Sequence, residues 1–162
     1  MGILSRSKRS TEEIPALCNV NLERYLGTWY EIARLPHKFE NGLDNVTAAY
    51  SLKTDGKIEV INTGIKNGEK SVAKATAWIP DKNCTGKLLV SFFWPFKSEY
   101  NIIKLDEENY SFAVVTSSSK NYLWVLSREP KISDELYNSL ISFVSSNGFD
   151  TAKIIKVNQS NV

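Results

Sequence analysis

The chain has few of the residues on which catalytic and metal sites usually depend. Its 162 residues include one histidine, two cysteines and one methionine. His37 is not accompanied by the serine, cysteine or acid pattern of a nucleophilic site, and one histidine with the distant Cys18 and Cys84 matches no zinc-ligand spacing. We therefore expect no enzyme activity, no metal and no cofactor, and we interpret His37 as a solvated loop residue.

Long apolar runs and an excess of one charge are also missing. The longest apolar stretches cover only a few residues, as at 88–90, which is too short to cross a bilayer. Twenty basic and 18 acidic residues leave a net charge of +2, which is too weak a field to favour nucleic acid. No nucleic-acid partner is therefore expected.

The first ten residues are basic but are not followed by an apolar segment, so they do not read as a signal peptide. Arg6 stands where a myristoylation motif needs serine or threonine. We expect a flexible basic arm over residues 1–20, with weak attachment to an anionic membrane surface as the alternative. One folded domain at 21–158 and a short tail at 159–162 complete the predicted organisation.

Turn signals recur at the spacing of β-hairpins. Asp55-Gly56 and Asn67-Gly68 suit tight turns, and apolar and polar residues alternate between the turns. The predicted strands are residues 27–34, 46–53, 57–63, 71–79, 87–93, 99–105, 110–116 and 121–127. Eight antiparallel strands without a long crossover fit a closed barrel or a sandwich, and closure into a barrel removes exposed edges.

A helix follows the strands. Ser133 is a good N-cap and Gly148 suits the position after the last turn. Its apolar stripe should pack on the outside of the sheet, and a short last strand is predicted at 152–157. The fold class is therefore all-β, with one C-terminal helix outside the sheet.

The start and the end of the strand run carry a pair of residues that would meet in a closed barrel. Trp29 opens the first strand after Gly27, and Arg128 follows the last. An up-and-down barrel places these ends side by side, so the guanidinium would stack on the indole and close one end. We take Gly27, Trp29 and Arg128 as the structural signature of the closed end.

The segments at 21–34 and 122–128 resemble the first and last conserved blocks of the lipocalin family, and 90–96 and 100–106 are similar to its bacterial lipocalin and apolipoprotein D branch. The resemblance implies an eight-stranded calyx that binds a fatty acid, a lysophospholipid or a similar amphiphile without catalysis. The alternative is a filled barrel that serves as a protein-interaction or dimerisation module at an apolar mouth.

Bacterial relatives of this kind are typically outer-membrane lipoproteins with a leader and a lipidated cysteine. No apolar leader precedes Cys18. The resemblance thus implies the outer membrane or periplasm if a leader is missing from the sequence, and the cytoplasm otherwise.

Residues on the inward phase of the predicted strands should line the cavity. Glu31 could meet a lipid headgroup or could pair with a nearby arginine or lysine, and Tyr50, Asn62 and Tyr100 could donate hydrogen bonds. The predicted ligand-binding residues are Glu31, Val46, Ala48, Tyr50, Leu52, Ile58, Val60, Asn62, Leu88, Val90, Phe92, Tyr100, Phe112 and Val114.

The direction of the predicted strands places the loops that follow residues 34, 64, 93 and 116 at the open end of the barrel, the mouth. Phe93, Trp94 and Phe96 are therefore expected at the lip, where apolar residues need a cover: a neighbouring loop, a membrane or lipid, or a second copy in a homodimer. The same direction brings Cys18 and Cys84 together at the floor, where they would form a disulfide in an oxidising compartment and stay free in the cytosol.

Overall fold

The computed structural model describes residues 14–160, and the predictions made for residues 1–13 and 161–162 lie outside this range. Within it the chain forms nine strands, two α-helices and one short 3-10 helix. In chain order these are α1 (Leu22–Tyr25), β1 (Gly27–Arg34), β2 (Asp44–Leu52), β3 (Ile58–Lys66), β4 (Glu69–Trp78), β5 (Lys87–Phe93), β6 (Phe96–Leu105), β7 (Phe112–Thr116), β8 (Leu123–Ser127), α2 (Asp134–Ser146), the 3-10 helix (Thr151–Lys153) and β9 (Ile155–Lys156).

Strands β1 to β8 form a closed barrel. Each strand pairs antiparallel with the next, and β1 also pairs with β8, which closes the ring. The short β9 pairs with β1 and is additional to the eight strands of the ring. The predicted eight-stranded antiparallel barrel with an external helix is therefore confirmed.

The contact between β1 and β2 differs between the lower and the upper half of the barrel. The first half of β1 pairs directly with β2, up to Tyr30 opposite Thr47. Above that point the C-terminal segment (residues 155–159) lies between them, and the Nε2 of Gln159 donates to the carbonyl oxygens of Glu31 and Val46, both at 2.9 Å. A side-chain amide thus bridges two strands that have no ladder hydrogen bond there.

Two apolar clusters lie on opposite faces of the sheet. The interior cluster is built from inward side chains of the strands and from Tyr25 of α1, around Trp29, which is fully buried. The outer cluster packs β1 and β6 to β8 against α2, whose Leu140 and Val144 are also fully buried. The amphipathic stripe predicted for this helix therefore covers the outside of the barrel.

Two predicted cavity residues, Phe112 and Val114, belong to this outer cluster, so the predicted phase of β7 was wrong. Ala113 and Val115 face the interior instead. Both faces of β7 are buried, one in the barrel and one under α2, and the strand carries apolar residues on both. Without alternation a one-residue error in phase cannot be seen in the sequence, and it inverts the strand.

Leu52 also does not line the cavity, because its side chain is 58% exposed. Gly27, the first residue of β1, lies opposite Tyr50. Leu52 therefore extends beyond the start of β1 and is flanked on one side only, by Ile58 of β3.

The closed end is formed as the signature residues predict. The guanidinium carbon of Arg128 lies 3.8 Å from the centroid of the Trp29 ring. Gly27 has a φ of +103°, and a Cβ there would come within 3.3 Å of Arg128 Nη1. Glycine is needed at this position for its backbone conformation and for the close approach of the guanidinium.

The segment before α1 is fixed to the floor. Cys18 and Cys84 are joined by a disulfide, and Gly86 donates a backbone hydrogen bond of 2.8 Å to Leu17. Val20, which the sequence placed in the arm, is 5% exposed within the interior cluster. Neither helix among residues 14–160 is long and apolar enough to span a membrane.

Candidate binding cup and mouth

The inward side chains become more exposed from the floor to the mouth. On β4, Ala77 and Ala75 are 1% and 6% exposed, whereas Ala73 lies open to solvent. On β6, Ile102 is fully buried and Ser98 is exposed. The barrel is therefore packed solid in its lower half and open in its upper half, which forms a cup.

Three tyrosines close the bottom of this cup. The hydroxyl of Tyr100 forms hydrogen bonds with the hydroxyls of Tyr25, at 2.6 Å, and Tyr50, at 2.8 Å. Burial raises the pKa of all three phenols, so they stay neutral. Beside them lies a cavity of about 10 Å³, which is room for about one water molecule.

The structure brings most of the predicted cavity residues together. Seven of them pack in or against the interior cluster: Ala48, Tyr50, Ile58, Val60, Leu88, Val90 and Tyr100. Asn62 faces the open half opposite Ala48, and Val46 is buried at a β-bulge. Phe92 follows the bulge after Val90 and is 46% exposed, so it lies at the rim.

A buried polar cluster lies at one side of the mouth. Glu31 and Arg34 of β1 are 5% and 3% exposed, and Arg34 Nη1 lies 3.4 Å from Glu31 Oε1. Glu40 of the mouth loop (residues 35–43) reaches the same place, with its Oε2 3.7 Å from Arg34 Nη1. Glu31 thus has the arginine partner that the sequence left as one of two alternatives.

His37 and Trp124 complete this cluster. Both His37 Nε2, at 3.0 Å, and Trp124 Nε1, at 2.9 Å, form hydrogen bonds with Glu40 Oε1. The His37 side chain is only 10% exposed, so its interpretation as a solvated loop residue was wrong. Sequence reasoning missed Arg34, Glu40 and Trp124 as site residues, because the mouth loop that brings Glu40 over the wall has no strand pattern.

The two carboxyl groups of the cluster behave differently. Burial raises the pKa of Glu31 well above its ordinary value, and the nearby Glu40 carboxylate raises it further. Burial alone would also raise the pKa of Glu40, but hydrogen bonds from His37, Glu31 and Trp124 outweigh it and lower that pKa. Of the two carboxyl groups, Glu40 is therefore the one that ionises at the lower pH, and Glu31 keeps its proton to a higher pH.

The lip segment (residues 93–96) is uncovered in this structure. Phe93, Trp94 and Phe96 are 79%, 78% and 77% exposed. The ring centroid of Trp94 lies 6.5 Å from that of Trp78, but this contact leaves most of the indole in water. A patch of exposed aromatic residues thus borders the open cup.

The fold and the cup define a container with one closed and one open end, and comparison with known proteins agrees. The lipocalin-like domain family matches residues 20–159. Outer membrane lipoprotein Blc of Citrobacter freundii is 47% identical over 144 residues, covering 87% of this chain and 80% of that protein. Bovine apolipoprotein D is 32% identical over 155 residues, covering 91% of this chain and 81% of that protein.

Among solved structures, insecticyanin of the tobacco hornworm superposes with a TM-score of 0.75 at 22% identity, covering 92% of this chain and 86% of that one. That likeness concerns the fold. The chain belongs to the lipocalin family. Its family and its relatives support the binding of small hydrophobic molecules.

Proposed function

We propose that the protein binds one fatty acid or lysophospholipid at a time in the open half of its barrel, non-covalently and without changing it. The observation that carries this proposal is the exposure of the inward face above Tyr100. Ala73 and Ser98 share the inward face of their strands yet lie open to solvent, which leaves room for a guest above Tyr100.

The depth of the cup limits how much of a guest it holds. From Tyr100 to Phe96 the strand rises roughly 13 Å, and strand tilt reduces the depth to about 10 Å. If about eight methylenes are buried, at about 0.8 kcal/mol each, they contribute about 6 kcal/mol before the cost of association. The remainder of a long acyl chain would lie against the lip segment.

The lip segment itself suits contact with an anionic lipid surface. Its three exposed aromatic side chains are accompanied by Lys70, Lys74 and Lys97, which are also exposed on β4 and β6. Aromatic residues insert at the headgroup level of a bilayer, and each nearby lysine adds about 1 kcal/mol of attraction to anionic lipid. We expect the mouth to face the membrane from which a guest is taken.

The proposed ligand site is tested by placing a large side chain in the open half of the barrel. Ala73→Trp places an indole in the open half, whereas Val72→Trp places the same side chain on the outer face of the same strand. Displacing about two methylenes of the guest should weaken oleate or oleoyl lysophosphatidylcholine binding about tenfold in Ala73→Trp, and Val72→Trp should bind as the unmodified protein does.

Native mass spectrometry after solvent extraction and lipid re-addition, with a fluorescence titration, measures both variants. A one-to-one adduct that is lost only in Ala73→Trp supports the proposal. No adduct with either lipid, or equal loss in both variants, would show that the barrel acts in another way.

A further inference from the structure

Glu40 occupies a largely buried site, with its side chain 17% exposed, in which several donors surround a negative charge. Its Oε1 accepts hydrogen bonds from Trp124 Nε1 and His37 Nε2, at 2.9 and 3.0 Å. Its Oε2 lies 3.7 Å from Arg34 Nη1. An indole N–H, a ring N–H and a guanidinium thus converge on one carboxylate.

Two of these donors, Arg34 and Trp124, belong to the wall of the cup, whereas His37 lies on the mouth loop with Glu40. Arg34 and Trp124 are opposite each other in the β1–β8 ladder, and Trp124 packs against the interior cluster. Glu31 lies just before the β-bulge that precedes Arg34, and its Oε1 accepts a hydrogen bond of 3.4 Å from Arg34 Nη1. The wall therefore provides the indole donor and the positive charge.

The carboxylate, in contrast, comes from the mouth loop, which lies outside the strands of the barrel. The neighbours of Glu40 are exposed, and Phe39 is 75% exposed. Arg34 Nη2 donates to the backbone oxygen of Glu40 at 2.7 Å, and Arg34 Nη1 donates to that of Leu43 at 3.3 Å. The loop is thus held at the mouth mainly through Arg34 and the Glu40 side chain.

We propose that Arg34, Trp124 and His37 form a binding site for the anionic group of the guest, a carboxylate or a phosphate, and that Glu40 is an internal occupant which the guest displaces. This inference rests on the proposed function. The inference adds that the polar group of the bound amphiphile lies at the mouth beside β1 and β8. It also names the side chains that bind this group.

The exchange avoids an electrostatic penalty because it conserves charge. One anion leaves Arg34 and another arrives, so no buried ion is left without a partner. The displaced Glu40 returns to water on an exposed loop, where a carboxylate is well hydrated. An uncharged amphiphile has no group to offer Arg34, so it would bind in the cup without displacing Glu40.

The test compares guests that differ in charge. Oleate, oleyl alcohol and oleoyl lysophosphatidylcholine are titrated into the unmodified protein, into Glu40→Gln, and into Glu69→Gln, an exposed residue at the mouth end of β4. Without the competing carboxylate, Glu40→Gln should bind oleate about tenfold more tightly. Oleyl alcohol should bind equally to all three proteins, and Glu69→Gln should bind every guest as the unmodified protein does.

Two further variants sharpen the measurement. Repeating the comparison in a Glu31→Gln background prevents Glu31 from ionising and taking the place of Glu40. Trp124→Phe removes one donor, so it should weaken oleate binding and leave oleyl alcohol unchanged. A gain for lysophosphatidylcholine in Glu40→Gln would identify phosphate as an accepted anion; a gain for oleate alone would restrict the site to carboxylates.

The outcomes separate this inference from the proposed function. If oleyl alcohol binds but oleate gains nothing in Glu40→Gln in either background, the cup stands and the anion site is refuted. The anion site is also refuted if the alcohol gains as much as oleate. If neither oleate nor the alcohol binds to any of the proteins, both proposals fail.

Discussion

Arg128 and Trp29 are in contact at the floor of the barrel, with the guanidinium carbon 3.8 Å from the centroid of the indole ring. The same guanidinium donates hydrogen bonds of 2.7 to 3.2 Å to four backbone oxygens, those of Arg24, Tyr25, Thr28 and Tyr110. One side chain therefore joins α1, the start of β1 and the turn before β7. It connects the first and the last strand of the barrel where they meet.

Replacing Arg128 by lysine should destabilise the protein although the charge is kept. Lysine has no planar group to stack on Trp29 and no fork of donors for four carbonyls, so we expect a loss on the order of 2–4 kcal/mol in the free energy of unfolding. Urea unfolding followed by tryptophan fluorescence measures it. Arg24→Lys is the matched control, because Arg24 stacks on Tyr110 at 4.2 Å but is exposed; equal losses in the two variants would contradict the role given to Arg128.

Removing the disulfide should also lower stability. Cys18 and Cys84 are 66 residues apart, and closing a loop of that length in the unfolded chain is worth about 4 kcal/mol by the chain-entropy account. The Cys18→Ser/Cys84→Ser variant should unfold at lower urea concentration than the oxidised protein, as should the unmodified protein after reduction. The double variant should not respond to dithiothreitol, and a loss below about 1 kcal/mol would mean that the floor is held by its other contacts.

Stability should fall as the pH rises above the ordinary range of glutamic acid, and Glu31 should be the cause. Its pKa is raised well above 4.5 in the folded protein, so the folded state keeps a proton that the unfolded chain has lost. Between 4.5 and the raised pKa, stability should decrease by at most about 1.4 kcal/mol per pH unit. The lowered pKa of Glu40 acts in the other direction and at lower pH, since its contribution is lost as the pH falls.

Urea unfolding at a series of pH values tests this expectation. Glu31→Gln keeps the shape of the protonated acid and faces the same Arg34 and Glu40, so it should flatten the decrease above pH 4.5. Glu129→Gln, at an exposed position, should leave the profile unchanged. An identical decrease in Glu31→Gln would assign the titration to another group.

The lip segment should determine binding to anionic vesicles. Replacing Phe93, Trp94 and Phe96 by serine should reduce cosedimentation with phosphatidylglycerol vesicles at least about tenfold, because the apolar area available for insertion is lost. Leu52→Ser is the control: Leu52 is 58% exposed but lies at the closed end, so this change should have no effect. If instead the triple variant only turns a dimer into a monomer in analytical ultracentrifugation, with vesicle binding unchanged, the lip segment is a dimer contact.

Much of the barrel could be predicted from the sequence, because most strands have one face in the interior and one in water. Alternation such as Ala48, Tyr50 against Thr47, Ala49 then shows both the strand and its phase. In β7 the outer face is covered by α2, and the phase could not be predicted for Phe112 and Val114.

The site was less predictable than the fold. Tyr50 and Tyr100 were placed in the interior by strand phase alone, but the position of Arg34 depends on a β-bulge between Glu31 and Ala33, which turns Arg34 back toward the interior. Nothing in the residue types around Ile32 indicates that bulge. The contact of Glu40 with the wall depends on the path of the mouth loop, for which a single sequence holds no periodic signal.

The amide of Gln159 has a consequence for guests of different width. Above Tyr30, β1 and β2 are held together by this side chain and by the backbone of the C-terminal segment, where Asn45 donates to Asn158 at 2.8 Å and Val157 donates to Ile32 at 2.9 Å. Withdrawing that short segment would widen the rim without breaking any rung between β1 and β2. We expect a bulky ligand to enter where β1 and β2 separate at the rim. The diameter of the lower barrel should stay constant.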